Sequence, residues 1–363
     1  MTQRSDGADA PATVSTSEGV KQTPDRLRFD ERKLDAYLAA HLPGFAGPLS
    51  VKQFSGGQSN PTYLLETPGA RYVLRRKPPG DLLPSAHAVE REHRIMTALH
   101  GAGFPAPRTY LLCEDADVIG SVFFVMEFIE GRIFWEARLP DTEPAERRAI
   151  YDAMIDTQAK LHSIDFQSVG LADYGKHTDY IARQIGRWSK QYQAAETGEI
   201  RAMNDLIEWL PGAAPKDDSV SIVHGDFRLD NVIFASDRAE PLAVLDWELS
   251  TLGHPLADFT YFLMVWEFPP DVRGGLLGAD FEALGIPTIE EAAARYGART
   301  GRGEIDNLDF YFAFNLFRMA SILQGVYARS LQGNASSDQA DAMGAQVKPL
   351  AEMAWRRAKQ AGA

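Results

Sequence analysis

The residues of this chain that are best suited to chemistry lie in one segment, residues 224–231 (HGDFRLDN), and at Asp246. Carboxylate and amide oxygens are ligands that Mg²⁺ accepts, and a further carboxylate can take the proton of an attacking hydroxyl. Phosphoryl transfer needs these groups, because its catalysis consists mostly of positioning and of neutralising charge. The segment therefore predicts a phosphoryl-transfer site.

The spacing within this site matches the catalytic loop of kinases. In that loop an Asp accepts the proton of the substrate hydroxyl, an Asn five residues later binds a metal, and a later Asp holds Mg²⁺ against the ATP phosphates. Asp226, Asn231 and Asp246 reproduce these offsets. We predict that Asp226 is the catalytic base and that Asn231 and Asp246 bind Mg²⁺. Short β-prone runs before, after and between these residues would bring the three side chains together.

The composition excludes several classes of protein. The 363 residues suit two lobes, and 45% hydrophobic with 24% charged residues is ordinary for a globular protein. A net charge of −13 argues against a nucleic-acid partner, because neutralising a phosphate backbone takes a concentrated basic surface. The single cysteine excludes an intrachain disulfide, and neither a secretory signal nor a membrane-spanning stretch is visible. We expect a cytoplasmic protein that is not inserted in a membrane.

The domain organisation follows from composition and periodicity. Residues 1–25 are poor in large apolar side chains, so we expect a flexible N-terminal tail there. Apolar periodicity then predicts a helix that ends before Pro43 and Gly44. We expect an N-terminal ATP-binding lobe at residues 26–127 and a C-terminal catalytic and substrate-binding lobe at residues 128–363.

A glycine-rich turn joins two predicted strands, residues 51–54 and 62–66. Glycines let backbone N–H groups approach phosphates closely, and neighbouring polar side chains can add donors. Such a turn is by itself often only a turn, but its position upstream of the catalytic loop favours nucleotide binding. The residues that we expect to contact the nucleotide are Ser55, Gly56, Gly57, Ser59 and Asn60.

The next predicted strand, YVLRRK, places Val73, Arg75 and Lys77 on one face. In a kinase, one basic residue of this strand reaches the ATP phosphates and pairs with a glutamate of the following helix. We favour Arg75 for this role, with Val73 against the adenine, and Lys77 stays the alternative. The glutamate is Glu92 or Glu90. We favour Glu92, because it directly precedes the apolar run that should face the sheet.

Residues 122–131 form an apolar strand that leads into a polar connector ending in glycine. A two-lobed kinase has its hinge at this point, and the hinge backbone hydrogen-bonds the adenine. We predict that Glu127 and Phe128 fill this role through their backbone groups.

Four motifs, FSGGQSNPTY, YVLRRKPPG, HGDFRLDN and LDWELSTLGHPLADF, resemble the aminoglycoside phosphotransferase and choline kinase superfamily. More narrowly, they resemble the bacterial relatives of the kinase-like domain fused to some animal acyl-CoA dehydrogenases. The resemblance covers roughly residues 30–350 and implies an α+β, protein-kinase-like two-lobe fold. It implies a small antiparallel β lobe with one main helix, a larger and mostly helical lobe, and ATP and Mg²⁺ as cofactors.

The resemblance also implies roles for residues around the catalytic loop. Arg228 stands where many kinases place a cation against the transferring phosphate, which suits a stabiliser of the transition state. His224 and Asp258 would brace the loop rather than take part in the chemistry.

The acceptor should lie between the catalytic loop and the helices of the C-terminal lobe. On the long predicted helix 308–331, Asn315, Arg318 and Arg329 fall on one stripe, and two arginines suit an anionic acceptor. Alternatively these side chains face solvent or brace the core. The residues that we expect near the acceptor are Trp247, Glu248, Tyr261, Trp266 and Arg318.

Two classes of acceptor stay open for a small-molecule kinase that phosphorylates a hydroxyl. The narrower resemblance favours a hydroxyacyl compound. The alternative is an aminoglycoside or a choline-type amino alcohol, since residues 266–311 hold nine acids against four arginines.

A second alternative to such an enzyme is a catalytically idle ATP-binding scaffold. Retention of the three catalytic-site residues argues against it, and Arg75 in place of the usual lysine is the feature in its favour. A protein kinase is disfavoured because DWE replaces DFG and no A-P-E segment follows.

Overall fold

A six-stranded antiparallel sheet forms the small lobe. The computed structural model describes residues 13–16, 19–54, 60–79, 87–272, 274–331 and 337–363, so the predicted phosphate-contacting residues Ser55, Gly56, Gly57 and Ser59 lie outside the described residues. After β1 (Thr13–Ser15), which joins another sheet, the strands are β2 (Val20–Lys21), β3 (Ser50–Phe54), β4 (Thr62–Glu66), β5 (Arg71–Arg76), β6 (Thr109–Cys113) and β7 (Phe123–Glu127). Their order in the sheet is β2-β3-β4-β5-β7-β6.

The two faces of this sheet pack against different helices. Successive side chains of a strand point to opposite faces, and β5 follows this rule. Tyr72 and Leu74 belong to the apolar cluster that buries α1 (Glu31–His41). Val73 belongs to the cluster that contains the apolar residues of α2 (Val89–Gly101). The strand therefore has the predicted register, with one face turned toward α2.

A flexible tail was predicted for residues 1–25, but residues 13–16 and 19–25 include two β-strands that pair with the rest of the chain. β1 pairs with β8 (Arg132–Phe134) of the second lobe, and β2 pairs with β3 of the first. Val14 is buried, and Thr16 exchanges hydrogen bonds with Gly131. Composition did not reveal this pairing, because it satisfies backbone N–H and C=O groups and needs only one buried apolar side chain.

The large lobe is mostly helical, as the resemblance implied. It also contains two small sheets, ordered β1-β8-β10-β11 and β12-β9, whose strands include β9 (Ser221–Val223), β10 (Val232–Phe234), β11 (Pro241–Val244) and β12 (Thr251–Gly253). The helices are α3 (Pro144–His162), α4 (Tyr180–Ala194), α5 (Arg201–Ala213), α6 (Pro255–Leu263), α7 (Phe281–Leu284), α8 (Ile289–Thr300), α9 (Leu308–Leu331) and α10 (Ser337–Gln360).

The core of the large lobe surrounds α9, which has the bounds predicted from its aromatic run. Phe312, Phe314 and Phe317 are fully buried in it, and α4, α6 and α10 pack around the helix. Among the described residues, no helix combines the length and the hydropathy that crossing a membrane requires. Because α6 packs against both α9 and β9, the helical core supports the two-stranded sheet from which the catalytic loop leaves.

The pairing of the N-terminal segment with the second lobe can be tested with Thr16→Val. This change removes the acceptor of the buried Gly131 N–H while keeping a side chain of similar size, so we expect the free energy of unfolding to fall by about 1–3 kcal/mol. Urea denaturation measures the loss. Thr13→Val, at a half-buried position of the adjoining strand β1, is the control and should change the value by about 0.5 kcal/mol or less. Equal effects of both changes would contradict the pairing.

Candidate active site

The carboxylate of Asp258 in α6 holds the backbone that precedes the candidate base. It accepts the N–H groups of His224 at 3.0 Å and of Gly225 at 2.7 Å, and Nε2 of His162 lies 3.1 Å from it. Burial opposes its charge, but the hydrogen bond from His162, the neighbouring histidine charges and the Gly225 N–H outweigh burial and lower the pKa of Asp258 to about 2. This geometry matches the bracing role predicted for Asp258.

The His-Gly pair fixes the path of the loop. Nε2 of His224 donates to the carbonyl oxygen of Leu245 at 2.8 Å, and its Nδ1 accepts the N–H of Asp226 at 3.2 Å. Gly225 has φ +83°, and a Cβ there would lie 2.7 Å from the carbonyl oxygen of Leu249. Only glycine tolerates both conditions, so the sequence HGD is required by the backbone as well as by chemistry.

The candidate base, Asp226, has one carboxylate oxygen engaged and one more open. The hydroxyl of Tyr261 donates to Oδ1 at 2.6 Å, and Nε of Arg228 lies 3.4 Å from the same oxygen. Nδ2 of Asn231 donates to the backbone oxygen of Asp226 at 2.8 Å and reaches Oδ2 only at 3.4 Å. Tyr261, predicted to contact the acceptor, thus holds Oδ1 of the candidate base, and Oδ2 is the less engaged oxygen.

Asn231 and Asp246 offer the two oxygens predicted to hold a metal. The amide nitrogen of Asn231 is used by the loop, which leaves the carbonyl oxygen as its ligating group. Asp246 has left-handed backbone angles, φ 64° and ψ 60°, and its side chain is 37% exposed. The described residues contain no group of three or more His, Cys, Asp or Glu able to hold a metal. Such a sparse set fits Mg²⁺, which usually takes one or two carboxylates together with substrate phosphates.

A network of ion pairs centred on Arg75 connects the two lobes. Nε of Arg75 lies 2.8 Å from Glu92 of α2, and Nη2 lies 2.8 Å from Asp246 and 3.9 Å from Glu248. Burial by itself would lower the pKa of Arg75, but the surrounding acids raise it. Burial raises the pKa of Glu92 to about 7, and the Arg75 guanidinium acts against that rise. Arg75 therefore stays charged and points to the predicted metal site.

Lys77, the alternative cation, has a different partner. Its Nζ lies 2.6 Å from Glu90, and both side chains are partly exposed. Each of the two candidate cations thus pairs with its own glutamate, and the favoured combination, Arg75 with Glu92, is the buried one. The geometry agrees with the preferred assignment, and the contact with phosphate stays a prediction.

The side chain of Asn60 is not positioned for the predicted contact with the nucleotide. It is fully buried, its Nδ2 donates to Glu92 Oε1 at 2.8 Å, and its Oδ1 lies 3.1 Å from His87 Nδ1. Both ends of the amide are therefore occupied. Asn60 orients the glutamate of the ion-pair network instead of binding the ligand directly.

The predicted hinge residues lie at the end of β7. The N–H of Glu127 donates to the carbonyl oxygen of Arg108 at 2.8 Å, which restricts its predicted adenine contact to its own carbonyl group. The ring of Phe128 lies 4.3 Å from the guanidinium of Arg71. Val73 is buried on the α2 face, on the side expected for an adenine contact. These three nucleotide contacts stay predictions.

Trp247 and Trp266 do not line a cleft, which corrects their assignment to the acceptor. They are 1% and 2% exposed, and their indole N–H groups donate to the backbone oxygens of Val244 and Pro287. A large ring is most stable in the core when its N–H has a partner there, and both tryptophans meet this condition. Glu248 belongs to the ion-pair network around Arg75, on the side of the site where we expect the nucleotide.

Arg318 is the residue of the predicted α9 stripe that faces the site. Its guanidinium carbon lies 5.6 Å from the ring centre of Tyr261 and 5.9 Å from that of Trp188. Asn315 is buried and donates to the backbone and a hydroxyl of α6, so the core-bracing alternative is correct for it. Arg329 is exposed, three helical turns farther along α9.

Sequence reasoning missed two residues that support the loop. Gln158 donates to the backbone oxygen of Asp258 at 2.9 Å, and His162 contacts its carboxylate. The two residues are four positions apart on α3 and therefore share a face of that helix. Polar residues at this spacing among the buried apolar residues of α3 were the available signal.

Comparison with known proteins identifies the family. Residues 50–298 match the "Phosphotransferase enzyme family". Acyl-CoA dehydrogenase family member 10 of Mus musculus is 48% identical over 334 residues, which are 92% of this chain and 31% of that protein. The chain spans less than half the length of the curated relatives that it matches.

Solved structures of similar proteins agree with this family assignment. A putative aminoglycoside phosphotransferase from Ralstonia eutropha is 50% identical, with a TM-score of 0.85 and coverage of 92% of this chain and 99% of that one. A thermostable mutant of aminoglycoside phosphotransferase APH(4)-Ia, in ternary complex with ADP and hygromycin B, is 16% identical with a TM-score of 0.56. It covers 90% of this chain and 98% of its own, and it shows likeness of fold.

The fold and the site define a small-molecule kinase of the two-lobe, protein-kinase-like type. This chain belongs to the phosphotransferase enzyme family. The predicted α+β fold and the predicted class of enzyme are confirmed.

The bracing role of Asp258 predicts a pH dependence. Because its folded pKa of about 2 lies below the usual value of about 3.9, its charge stabilises the fold above pH 4 and ceases to do so as the pH falls through 2. Asp258→Asn should therefore lower the free energy of unfolding by about 2–3 kcal/mol at pH 6, and the difference from the wild type should shrink toward pH 2.

Urea denaturation across this range measures the difference. Asp306→Asn, at an exposed position, is the control and should show little difference at any pH. A difference between Asp258→Asn and the wild type that is constant with pH would contradict the role assigned to the charge.

Proposed function

We propose that this protein transfers the terminal phosphoryl group of ATP to a hydroxyl of a small molecule, with Mg²⁺ held by Asn231 and Asp246. The observation that carries the proposal is the buried arginine that joins the helix of the small lobe to Asp246, because this arrangement assembles a cation and a metal ligand at one point. Membership of the family supports phosphotransfer and argues against the idle scaffold. ADP in a relative of the same fold supports a nucleotide as donor.

The donor half of the site offers groups for the phosphates. Nη1 of Arg75 makes only a long contact of 3.4 Å with Thr62 and can donate to a phosphate oxygen. The carbonyl oxygen of Asn231 and the carboxylate of Asp246 fit Mg²⁺ in chemistry and in number. When bound, the metal would supply positive charge against the phosphates. Arg75 and Glu92 would keep the cation and the metal ligand in register.

The acceptor half of the site centres on Asp226. Its Oδ2 would accept the proton of the attacking hydroxyl, while the Tyr261 hydroxyl holds Oδ1 in place. Arg228 lies beside it in an ion pair with Asp230 at 2.7 Å, and these acids raise its pKa against the effect of burial. A permanent positive charge at this place would stabilise the charge that develops on the transferring group.

A hydroxyacyl compound is the favoured acceptor. Arg318 beside Tyr261 would repel a cationic aminoglycoside and attract an anionic acyl compound. Several acids of residues 266–311 serve the fold: Glu267 and Asp309 bind Arg357, and Asp280 and Glu291 cap helices. The argument for an acid-lined cleft is weaker for that reason. The names of the curated relatives, acyl-CoA dehydrogenase family members, also suit an acyl substrate.

The roles of the two aspartates should separate in mutants. Asp226→Asn keeps an oxygen for Tyr261 and should leave nucleotide affinity nearly unchanged while turnover falls by about 10²-fold or more. Asp246→Asn should abolish the Mg²⁺ dependence of ADP binding, because an amide attracts a hard dication weakly. Calorimetric titration with and without Mg²⁺, and turnover, measure both. Asp237→Asn, exposed on a nearby turn, is the control. Unchanged magnesium dependence in Asp246→Asn would remove Asp246 from the metal site.

The two candidate cations should also separate. Arg75→Met should raise the Michaelis constant for ATP by about tenfold or more, because Arg75 faces the metal site, whereas Lys77→Met should change it little. Arg75→Lys keeps a positive charge beside the buried Glu92. If this variant restores the Michaelis constant for ATP, the effect of Arg75→Met comes from the lost charge and not from unfolding. A larger effect at Lys77 would reverse the assignment.

ATP consumption with a panel of acceptors tests the function itself. The panel contains hydroxyacids, their coenzyme A thioesters, aminoglycosides and choline, and we expect turnover with a hydroxyacyl compound. Turnover of an aminoglycoside or choline alone would contradict the hydroxyacyl assignment. ATP binding without turnover of any hydroxyl compound would support the idle scaffold.

A further inference from the structure

Three arginines of α4 and α9 lie around aromatic rings next to the candidate base. We name Arg183, Arg187 and Arg318 the arginine cluster. Arg187 lies 5.2 Å and Arg318 5.9 Å from the ring centre of Trp188, so one indole ring lies close to both cations. Arg318 also lies 5.6 Å from the ring of Tyr261, whose hydroxyl binds the base. The cluster therefore borders the acceptor half of the site.

The charges of all three arginines act on the same group, the hydroxyl of Tyr180. Burial raises its pKa, and the charges of Arg318, Arg183 and Arg187 all act against this rise. The ring of Tyr180 is fixed against β12, because a Cβ on Gly253 would lie 2.9 Å from it. Since β12 pairs with β9, the strand that leads into the catalytic loop, the cluster has a rigid position relative to that loop.

The cluster has no counter-charge within the part of the chain that the structure describes. No ion pair joins its guanidinium groups to a described carboxylate, and Nη1 of Arg183 and Nε of Arg318 are buried without a hydrogen-bond partner. The charge of Asp258 also acts on Tyr180, but its oxygens are occupied by the catalytic loop.

Unpaired buried donors are costly, so a site that keeps them points to a ligand that pairs with them. The contrast lies in the ion pairs: in this chain of net charge −13, the buried Arg75 and Arg228 are paired with acids, whereas no described carboxylate forms an ion pair with the cluster. The missing partner of the arginine cluster therefore has to be an anion.

We infer that the arginine cluster binds a phosphate group carried by the acceptor and thereby places the acceptor hydroxyl at Asp226. Three guanidinium groups exceed the charge of one carboxylate and match a phosphate ester or diphosphate, which accepts bidentate hydrogen bonds from arginine. The path from Arg318 through Tyr261 to Asp226 is short enough for one small molecule to span. The inference rests on the proposed function, because it assumes that the acceptor reacts at Asp226.

Titration with inorganic pyrophosphate tests the site directly. The nucleotide site is first filled with AMP-PNP and Mg²⁺, so that pyrophosphate reports on a second site. Arg183→Gln, Arg187→Gln and Arg318→Gln should each weaken pyrophosphate binding by about 10-fold or more and leave AMP-PNP affinity unchanged. Arg329→Gln, on an exposed turn of the same helix, is the matched control and should change it by about twofold or less.

Arg187 is exposed, so its replacement tests the site even where the two partly buried arginines are needed for folding. Absence of pyrophosphate binding in the wild type, or equal binding in all variants, would overturn the inference. If AMP-PNP does not bind, the proposed function fails, and pyrophosphate titration of the same variants still decides the cluster.

Two competitors distinguish the sources of the phosphate. Displacement of pyrophosphate by coenzyme A assigns the cluster to a diphosphate-bearing thiol carrier, and displacement by glycerol 3-phosphate alone assigns it to a phosphomonoester acceptor. Displacement by neither makes it a site for free anions only and overturns its assignment to the acceptor.

Discussion

The buried guanidinium of Arg75 is the constraint on which the arrangement of the site depends. A buried charge is costly unless oppositely charged groups surround it, and for Arg75 they come from α2 and from the turn after β11. If α2 or the turn after β11 moved by about the length of a hydrogen bond, Arg75 would lose a carboxylate that neutralises its charge. The register of β5, the position of α2 and the place of Asp246 are therefore set together. An arginine suits this task better than a lysine, because its planar fork contacts two carboxylates at once.

Much of the site could be predicted because its chemistry requires fixed spacings. The offsets from Asp226 to Asn231 and Asp246 follow from one loop and one hairpin, and strand alternation predicted that Arg75 faces α2. Neither rule applies to Trp247, which begins a single helical turn whose buried side no periodicity reveals. The structure differs from the prediction for Asn60 for a related reason. Its polar side chain suggested a contact with the ligand, but the amide donates to the buried Glu92 instead.

The parts of the fold that escaped prediction are those held by backbone groups or by distant residues. Composition reports the apolar surface that a segment can bury, whereas β1 is attached mainly by main-chain hydrogen bonds to β8. The support of Asp258 comes from Gln158 and His162, about a hundred residues earlier in the chain. A single sequence contains no distance information of that kind, although the shared helical face of the two residues was visible.

The N-terminal segment has a mechanical consequence. Kinases of this shape open and close their clefts, and a single connector between lobes would allow them to twist as well as to open. Here β1 pairs with a strand of the large lobe and β2 with a strand of the small lobe, so two tethers join the lobes, one between β1 and β2 and one after β7, and they meet where Thr16 hydrogen-bonds Gly131. Two connections between the lobes define an axis about which the lobes can rotate. We expect rotation about that axis to be easier than torsion across it, because β1 and β2 anchor the second tether as edge strands of both sheets.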